Sequence, residues 1–283
     1  MESRPRTLWL RTEPLHAVLY FDEECRGIGR SVGLKGFWMG YFATRTAPMG
    51  RIRPEAATAV LGVFAPGMVA RALPDAWRVV TPEKLTDLRA RLAASALRRL
   101  VPEIDALAGP LIPPLAAMVA DASPQARPLF AANRPLCDRT DPVESLWQLT
   151  TALREFRGDA HNVALADHGL DAPEALVLAA ATGRVPREGI RLDRGWSEAE
   201  WADAEERLRS RGLIDAESAA TPRGRREREL VEDTTDRLAA RLLRPLAESA
   251  VDELLAALEL PARQVLAAGL LPFPNPIGLP GTV

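Results

Sequence analysis

The stretch WSEAEWADAEERLRSRGLID, residues 196–215, decides the fold of the C-terminal half of the chain. It predicts a helix from Ser197 to Arg211, then a Gly-Leu-Ile step and a short strand-turn-strand segment between Leu213 and Thr221. Charge is divided along this helix, because five acidic residues come first and three arginines follow: Glu198, Glu200, Asp203, Glu205, Glu206, then Arg207, Arg209 and Arg211. Every charged side chain in the N-terminal half of the helix is therefore negative.

This stretch resembles the recognition helix and wing of winged-helix regulators of the multiple-antibiotic-resistance (MarR) type. In such proteins the N-terminal part of the recognition helix meets base edges in the major groove. Most of the affinity comes from Arg and Lys side chains that neutralise phosphates. The acidic half has the wrong charge for that contact. We interpret the segment as a winged helix that has stopped reading DNA, with retained DNA binding as the less favoured alternative.

A MarR-type winged helix needs three helices before the wing. Residues 173–182 can form the first and residues 197–211 the third. Between them, Pro186, Gly189 and Gly195 leave no run long enough for a stable two-turn helix. We therefore expect the second helix to be shortened or missing. If the motif still binds DNA, its phosphate contacts would come from the arginines of this segment: Arg184, Arg187, Arg191 and Arg194.

Composition narrows the class of protein. Hydrophobic residues make up 47% and charged residues 26%, as in a globular chain. The net charge of −2 disfavours a dedicated nucleic-acid binder. The two cysteines form no CxxC pair. The first residues have no apolar run of the kind expected in a signal peptide, and no stretch approaches the ~20 apolar residues of a membrane span. We expect a cytoplasmic protein with no disulfide framework and no membrane partner.

Helical patterns dominate and β-propensity is low, so the predicted fold class is mainly α. We predict a helical N-terminal domain over residues 1–123, a connector over 124–141, and a degenerate MarR-like winged-helix domain with a small β-wing and long flanking helices over 142–283. In the first domain, an apolar helix near residues 105–122 is expected to be broken by Pro110, Pro113 and Pro114. The amphipathic segment 246–258 offers an apolar seam for a homodimer.

Five phrases spread along the chain resemble an actinobacterial helix-turn-helix family of roughly this length. They are PLHAVLYFDEE (14–24), GFWMGYFATRTAPMG (36–50), GMVARALPDAW (67–77), LREFRGDAHNVAL (153–165) and RGLID with TPRGR (211–225). The resemblance implies a helical N-terminal domain fused to a MarR-like winged helix, and it implies no activity. The family pattern has a histidine where this chain has Phe156, so no role is assigned to that position.

The helix predicted over residues 142–168 carries candidate chemistry. Trp147, Arg154, His161 and His168 recur every seven residues and lie along one stripe, with Arg157 four residues before His161. The two histidines are about 10.5 Å apart along the axis, too far to share a metal ion, so no metal site is predicted. A histidine pKa near 6.5 suits general acid–base work. The alternative is a buried, hydrogen-bonded histidine.

The N-terminal domain carries a second group of candidates. A spacing of four residues places His16 and Tyr20 on one helix face. The same spacing places Phe37, Tyr41 and Arg45 on one face of the next predicted helix. An aromatic wall with a cation and an imidazole is typical of a site for a planar anion. Both tyrosines and nine of the fifteen aromatic residues fall within the first 77 residues. The alternative is that these aromatic side chains build the core of the domain.

Together these patterns predict a protein that binds a small organic ligand, anionic or aromatic, between the N-terminal helices and the helix over 142–168. If the protein is an enzyme, His161 and His16 are the catalytic candidates. The ligand-binding candidates are Tyr20, Phe37, Tyr41, Arg45, Trp147, Arg154 and Arg157. No cofactor is predicted, and haem with His16 or His161 as axial ligand is disfavoured. The alternatives are a ligand-responsive, homodimeric MarR-like transcription regulator and an interaction protein without a ligand.

Overall fold

The computed structural model describes residues 3–281, and this part of the chain contains sixteen α-helices. In chain order they are α1 (Arg4–Phe21), α2 (Glu23–Arg26), α3 (Ile28–Ser31), α4 (Gly36–Thr46), α5 (Pro54–Leu61), α6 (Pro66–Ala72), α7 (Ala76–Val79), α8 (Pro82–Leu100), α9 (Ile104–Asp121), α10 (Pro128–Asn133), α11 (Pro142–Asp167), α12 (Ala172–Ala181), α13 (Arg187–Asp193), α14 (Glu198–Ser210), α15 (Pro222–Ala239) and α16 (Glu248–Ala267). The mainly α prediction is confirmed.

Helix α11 is the central element. It packs against α1, α9, α10 and α15. The part of this helix up to Phe156, with the fully buried Trp147, belongs to the main hydrophobic core that α1, α8, α9 and α16 also form. Phe130 of α10 belongs to the same core, so this core continues through the predicted connector. The end of α11, with Ala164 and Leu165, belongs to a second core built with α12, α14 and α15.

The second helix of the unit is shortened, as the sequence predicts. Helix α13 is seven residues long, just under two turns, whereas α12 has ten residues and α14 has thirteen. Ile190 on this helix is completely buried among Leu176, Val185 and Ala179. Burial against α12 thus stabilises a helix that its own sequence disfavours, because tertiary packing outweighs intrinsic propensity.

A glycine makes the turn between α13 and α14 possible. Gly195 has a φ of +78°, in the left-handed region that favours glycine. A Cβ atom at this position would also lie 2.8 Å from the side chain of Met68 on α6. Helix α14 then begins with a reciprocal capping box between Ser197 and Glu200. The turn therefore docks against the N-terminal half of the chain.

The predicted strand-turn-strand wing is not formed. In residues 3–281 the β pairing is limited to one isolated antiparallel bridge between Ile214 and Ala220. The chain reverses at once, because the amide of Asp215 donates to the carbonyl of Ala219. Thr221 then caps α15 by accepting from the amide of Gly224. No residues are left over to extend the bridge into strands.

Replacing Gly224 by alanine is expected to lower the free energy of unfolding by about 3 kcal/mol. A Cβ there would overlap the backbone oxygen of Leu213, and backbone cannot move aside as a flexible side chain can. The matched control is Gly109→Ala in α9, where a Cβ would have no neighbour within 4 Å. The control is expected to gain stability, since alanine is the better helix former. Equal urea midpoints for the two variants would contradict the steric argument.

Two sequence expectations about apolar helices need correction. The three prolines do not break α9, which is continuous. Pro110 and Pro113 are exposed, so the carbonyls that they leave unbonded can meet water. The apolar residues of the segment predicted as a dimer seam, among them Leu254 and Leu258, are buried in the main core, where α16 packs against α1 and α9. The chain itself therefore covers that seam.

Helix α9 is the one helix in the described residues that is long and apolar enough, by length and composition, to cross a membrane. One of its faces is buried in the main core, through Leu111, Leu115 and Met118. This is the pattern of a helix packed inside a globular domain.

Candidate functional site

A cavity of about 200 Å³ lies where the two halves of the chain meet. Side chains from α1, α4, α11, α12 and α15 line it, together with the segment 276–278 near the C-terminus. Drug-sized ligands occupy pockets of roughly 300–1,000 Å³, so this cavity suits a smaller organic molecule and does not admit a haem. Its lining therefore indicates what kind of small molecule it can hold.

Five of the residues selected from the sequence line this one cavity: Tyr41, Arg45, Arg154, Arg157 and His161. The first two come from α4 and the others from α11. Arg154, Arg157 and His161 are three and seven residues apart, so the helical repeat brings them to one face of α11. The structure thus joins the two regions that the sequence pattern selected separately.

The other selected residues lie outside this cavity. His16 is 1% exposed, and its Nδ1 and Nε2 atoms are hydrogen-bonded to Thr151 at 2.9 Å and Tyr20 at 3.0 Å. Burial holds the pKa of His16 well below its ordinary value. Trp147 is fully buried beside it, with the two rings stacked at 6.2 Å. His16 therefore has no free nitrogen to offer a ligand.

Phe37 and Tyr20 line a separate, much smaller cavity of about 20 Å³. Phe37 is covered by the guanidinium of Arg26, which lies 4.4 Å from the ring centroid. A space of this volume holds little more than one water molecule. Tyr20 on α1 and Phe37 on α4 therefore form no part of the main cavity, and Phe37 also borders another cavity of about 350 Å³ beside Arg26 and Arg30.

Arginine dominates the lining of the main cavity. Six arginines line it: Arg45, Arg154, Arg157, Arg184, Arg194 and Arg228. The sequence pattern did not select the last three for a ligand site, and it assigned Arg184 and Arg194 to the alternative of DNA contact. Nothing in their local sequence separates them from surface arginines, because their role depends on contacts between distant segments.

One group of these arginines surrounds Glu232 on α15, and we call it the Glu232 cluster: Glu232, Arg157, Arg184, Arg228 and Asp236. Glu232 contacts Arg228 at 2.6 Å, Arg157 at 3.0 Å and Arg184 at 3.6 Å. Arg157 also donates to Asp236 at 2.7 Å. Burial alone would raise the pKa of Glu232, but Arg228 and the other cationic neighbours outweigh burial and hold it far below its ordinary value.

The second group is the Glu155 cluster: Glu155, Arg45, Arg154, Glu13 and Tyr41. Glu155 contacts Arg154 at 2.8 Å and Arg45 at 3.4 Å, and Glu13 lies 3.6 Å from Arg154. Burial opposes ionisation of Glu155, yet Arg154 and Arg45 lower its pKa to about 2. Burial raises the pKa of Glu13, and Arg154 only partly opposes that shift.

Arg194 stands apart, because no carboxylate in the described residues pairs with it. Its Nη2 donates to the carbonyl of Pro276 at 2.7 Å, and its guanidinium lies 4.8 Å from the ring centroid of Phe64. Arg194 is 7% exposed, and burial lowers its pKa. A buried cation without a counter-ion is costly, so this position favours an anion in the cavity.

Three buried N–H donors in this lining have no acceptor in residues 3–281. They are Nε of Arg157, Nε of Arg194 and Nη1 of Arg228. The six arginines also meet only four carboxylates, Glu13, Glu155, Glu232 and Asp236, which leaves an excess of two positive charges. An unsatisfied buried donor costs about 1–3 kcal/mol, and a cation costs more. The arrangement can therefore bind an organic anion.

The hydrogen bonds of His161 assign its tautomer. The hydroxyl of Thr235 donates to the carbonyl of Val231 at 2.7 Å, so its oxygen accepts from Nδ1 of His161 at 3.0 Å. Nε2 of His161 then carries the lone pair, and no group in the described residues bonds it. Burial lowers the pKa of His161 to about 3, so the ring is neutral at neutral pH. It offers a ligand an acceptor and is a weak base.

Asp159 on α11 predicts a pH effect. Its carboxylate accepts from the amide of Phe130 at 3.0 Å, and burial raises its pKa to about 7. Because the pKa of Asp159 is higher in the folded protein than the value near 4 in the unfolded chain, its protonated form stabilises the fold below about pH 4. That contribution to the free energy of unfolding is lost as the pH rises through about 7. Asp159→Asn is therefore expected to exceed wild type in stability at pH 8 by about 2 kcal/mol and to match it near pH 4. Urea unfolding across pH tests this, with exposed Asp203→Asn as control, and a difference that does not change with pH would contradict it.

Helix α14 presents the acidic face that its sequence predicts. Glu198, Glu200, Asp203 and Glu206 are exposed. Its arginines are engaged within the chain, since Arg207 contacts Asp171 at 2.6 Å and Glu174 at 3.2 Å, Arg209 contacts Glu206 at 2.8 Å, and Arg211 donates to the carbonyl of Gly169 at 2.9 Å. The charge available to meet phosphates on this face is therefore negative.

Helices α12, α13 and α14, with the Gly195 turn between the last two, form a helix-turn-helix unit packed on a helical N-terminal part. The sequence model of a helix-turn-helix family matches residues 5–272. The chain therefore belongs to this helix-turn-helix family. No curated protein and no solved structure matches the chain.

Proposed function

We propose that this protein binds a small organic anion in the arginine-lined cavity. The observation that carries the proposal is the set of three buried guanidinium N–H donors without acceptors, in a lining with two uncompensated positive charges. A bound carboxylate or phosphate would satisfy these donors through charge-assisted hydrogen bonds. Leu61, Phe64 and Leu176 supply apolar walls for the organic part of the ligand.

The helix-turn-helix unit, which we take to be a degenerate MarR-like winged helix, would serve as a wall of this cavity. Arg184 and Val185 precede α13, Arg194 follows it, and all three line the cavity. Ala175 and Leu176 of α12 extend the same wall. A ligand would therefore stabilise the packing of this unit on the N-terminal half of the chain.

Two observations support a role other than reading DNA. The exposed side of α14 is acidic, and the arginines that follow are paired with carboxylates or carbonyls of the chain. Arg184 and Arg194, which the DNA-binding alternative would use, line the cavity instead. Arg191 contacts Glu198 at 3.5 Å. The outward face of α14, in the part of the chain that the structure describes, therefore offers no unpaired cation to neutralise phosphates.

A ligand-responsive transcription regulator is the second candidate, because the cavity touches both ends of α13. In that case ligand and DNA would change one another's affinity by the same factor. Catalysis has less support, since a pKa of about 3 makes His161 a poor general base at neutral pH. The proposal is therefore a binding protein, with no reaction assigned.

The test measures ligand and DNA binding on the same preparation. Calorimetric titration with benzoate is expected to show saturable binding, whereas neutral benzamide and cationic benzylamine, of nearly the same shape, are expected to show none. Duplex DNA, followed by fluorescence anisotropy at low salt, is expected not to bind. Benzamide binding as tightly as benzoate would contradict the proposal. Salt-sensitive DNA binding that benzoate weakens would favour the regulator.

A further inference from the structure

We infer that the natural ligand carries two separate anionic groups, one at each end, as an elongated dicarboxylate does. This inference rests on the proposed function and specifies the chemistry of the ligand. It follows from how the charges of the lining are divided. Neither the number of arginines nor the volume of the cavity would by itself distinguish such a ligand from a compact dianion.

The excess positive charge is split between the two ends of the cavity. At one end, Arg157, Arg184 and Arg228 face Glu232 and Asp236. At the other end, Arg45 and Arg154 contact Glu13 and Glu155, and Arg194, which pairs with no carboxylate in residues 3–281, lies against Phe64. Each end has three arginines and two carboxylates, so each has one positive charge to spare. A ligand that neutralises both ends must place one negative charge at each.

The unpartnered donors follow the same division. Nε of Arg157 and Nη1 of Arg228 belong to the Glu232 cluster, whereas Nε of Arg194 lies at the other end. Arg194 lies beside the Glu155 cluster, because its guanidinium covers Phe64, and the ring centroid of Phe64 is 5.5 Å from that of Tyr41. Both ends therefore have a donor ready for an anionic oxygen.

Helix α13 sets the separation of the two ends. Arg184 of the Glu232 cluster precedes this seven-residue helix, and Arg194 follows it. Seven residues of α-helix span about 10.5 Å. One phosphate group could not satisfy both ends across that distance. It would leave a buried donor unpaired at the opposite end, and an unpaired donor weakens binding.

Apolar side chains accompany the arginines at both ends of the cavity. Trp9 contacts the guanidinium of Arg157 at 4.8 Å from its ring centroid, and Phe64 contacts that of Arg194 at the same distance. Leu61 and Leu176 also line the cavity. The central part of the ligand is therefore expected to be apolar, with the two charges kept at its ends.

The test compares four ligands built on one benzene ring: benzoate with one charge, phthalate with two adjacent carboxylates, terephthalate with two opposite carboxylates, and phenyl phosphate as a compact dianion. Calorimetric titration at constant ionic strength is expected to rank terephthalate first, roughly tenfold or more above benzoate. Phthalate and phenyl phosphate are expected to bind no better than about threefold above benzoate, because only one end is satisfied.

A variant at the far end separates the two charges. Arg194→Met is expected to bring the affinity for terephthalate down to that for benzoate. Arg187→Met, at the first residue of α13 and half exposed, is expected to leave the ranking unchanged. If phthalate, phenyl phosphate or benzoate binds as tightly as terephthalate, the inference of two separate anionic groups is overturned. The proposal that the cavity binds an anion would still stand. If none of the four binds, the proposed function is overturned as well.

Discussion

Replacing Glu232 by glutamine is expected to lower the free energy of unfolding by about 3–5 kcal/mol, since removing one partner of a buried ion pair leaves the other charge uncompensated. Glu232 has a side chain only 4% exposed, and three arginines converge on it. Glutamine keeps the shape but removes the charge that holds Arg157, Arg184 and Arg228 together. Urea unfolding at neutral pH measures the loss.

The matched control for this variant is Glu229→Gln, one turn earlier on α15. Glu229 is 56% exposed and contacts Arg6 at the surface, so its loss is expected to cost about 1 kcal/mol or less. The Glu232→Gln variant also predicts rescue by ligand. Benzoate is expected to raise its melting temperature more than that of wild type, because the anion replaces a missing negative charge. Equal losses in the two variants would contradict the role given to Glu232.

Arg157→Met is expected to weaken benzoate binding about 10- to 100-fold while the protein stays folded. The loss follows from the free Nε of Arg157 and from its position in the cavity wall. The fold tolerates the change because Glu232 keeps Arg228 and Arg184 as partners, and Asp236 keeps Arg6 at 2.7 Å. Methionine also keeps an unbranched side chain beside Trp9, whose ring the guanidinium of Arg157 covers at 4.8 Å.

The control for Arg157→Met is Arg78→Met, whose side chain is 80% exposed and pairs only with Asp75. That variant is expected to bind benzoate like wild type. Calorimetric titration gives both affinities, and circular dichroism checks that each variant is folded. A folded Arg157→Met protein that binds benzoate as tightly as wild type would exclude Arg157 from the site.

The sequence could predict those parts of the site whose residues lie close together on one helix. Arg154, Arg157 and His161 lie on one helix, so their shared face follows from the helical repeat alone. His16 follows the same rule with Tyr20, but its stripe on α1 leads into the core, and only Trp9 and Glu13 of that helix line the cavity. The helical repeat determines which residues share one face of a helix. It does not determine which other part of the protein that face contacts.

The unpredicted part of the site depends on contacts between distant segments. Arg194 lies far in sequence from most of α11. Its guanidinium covers the ring of Phe64 and donates to the carbonyl of Pro276. The same applies to α13, whose sequence disfavours a helix and whose Ile190 is buried by other elements. Such features come from tertiary packing, which local sequence patterns do not encode.

A crystal structure grown with 4-bromobenzoate tests the central claim most directly, because the bromine gives an anomalous signal that locates the ligand. We expect one bromine peak inside the cavity, with the carboxylate within hydrogen-bonding distance of Arg157 and Arg228 or of Arg194. An ordered ligand bound elsewhere on the protein, or an unoccupied cavity at saturating ligand concentration, would contradict it.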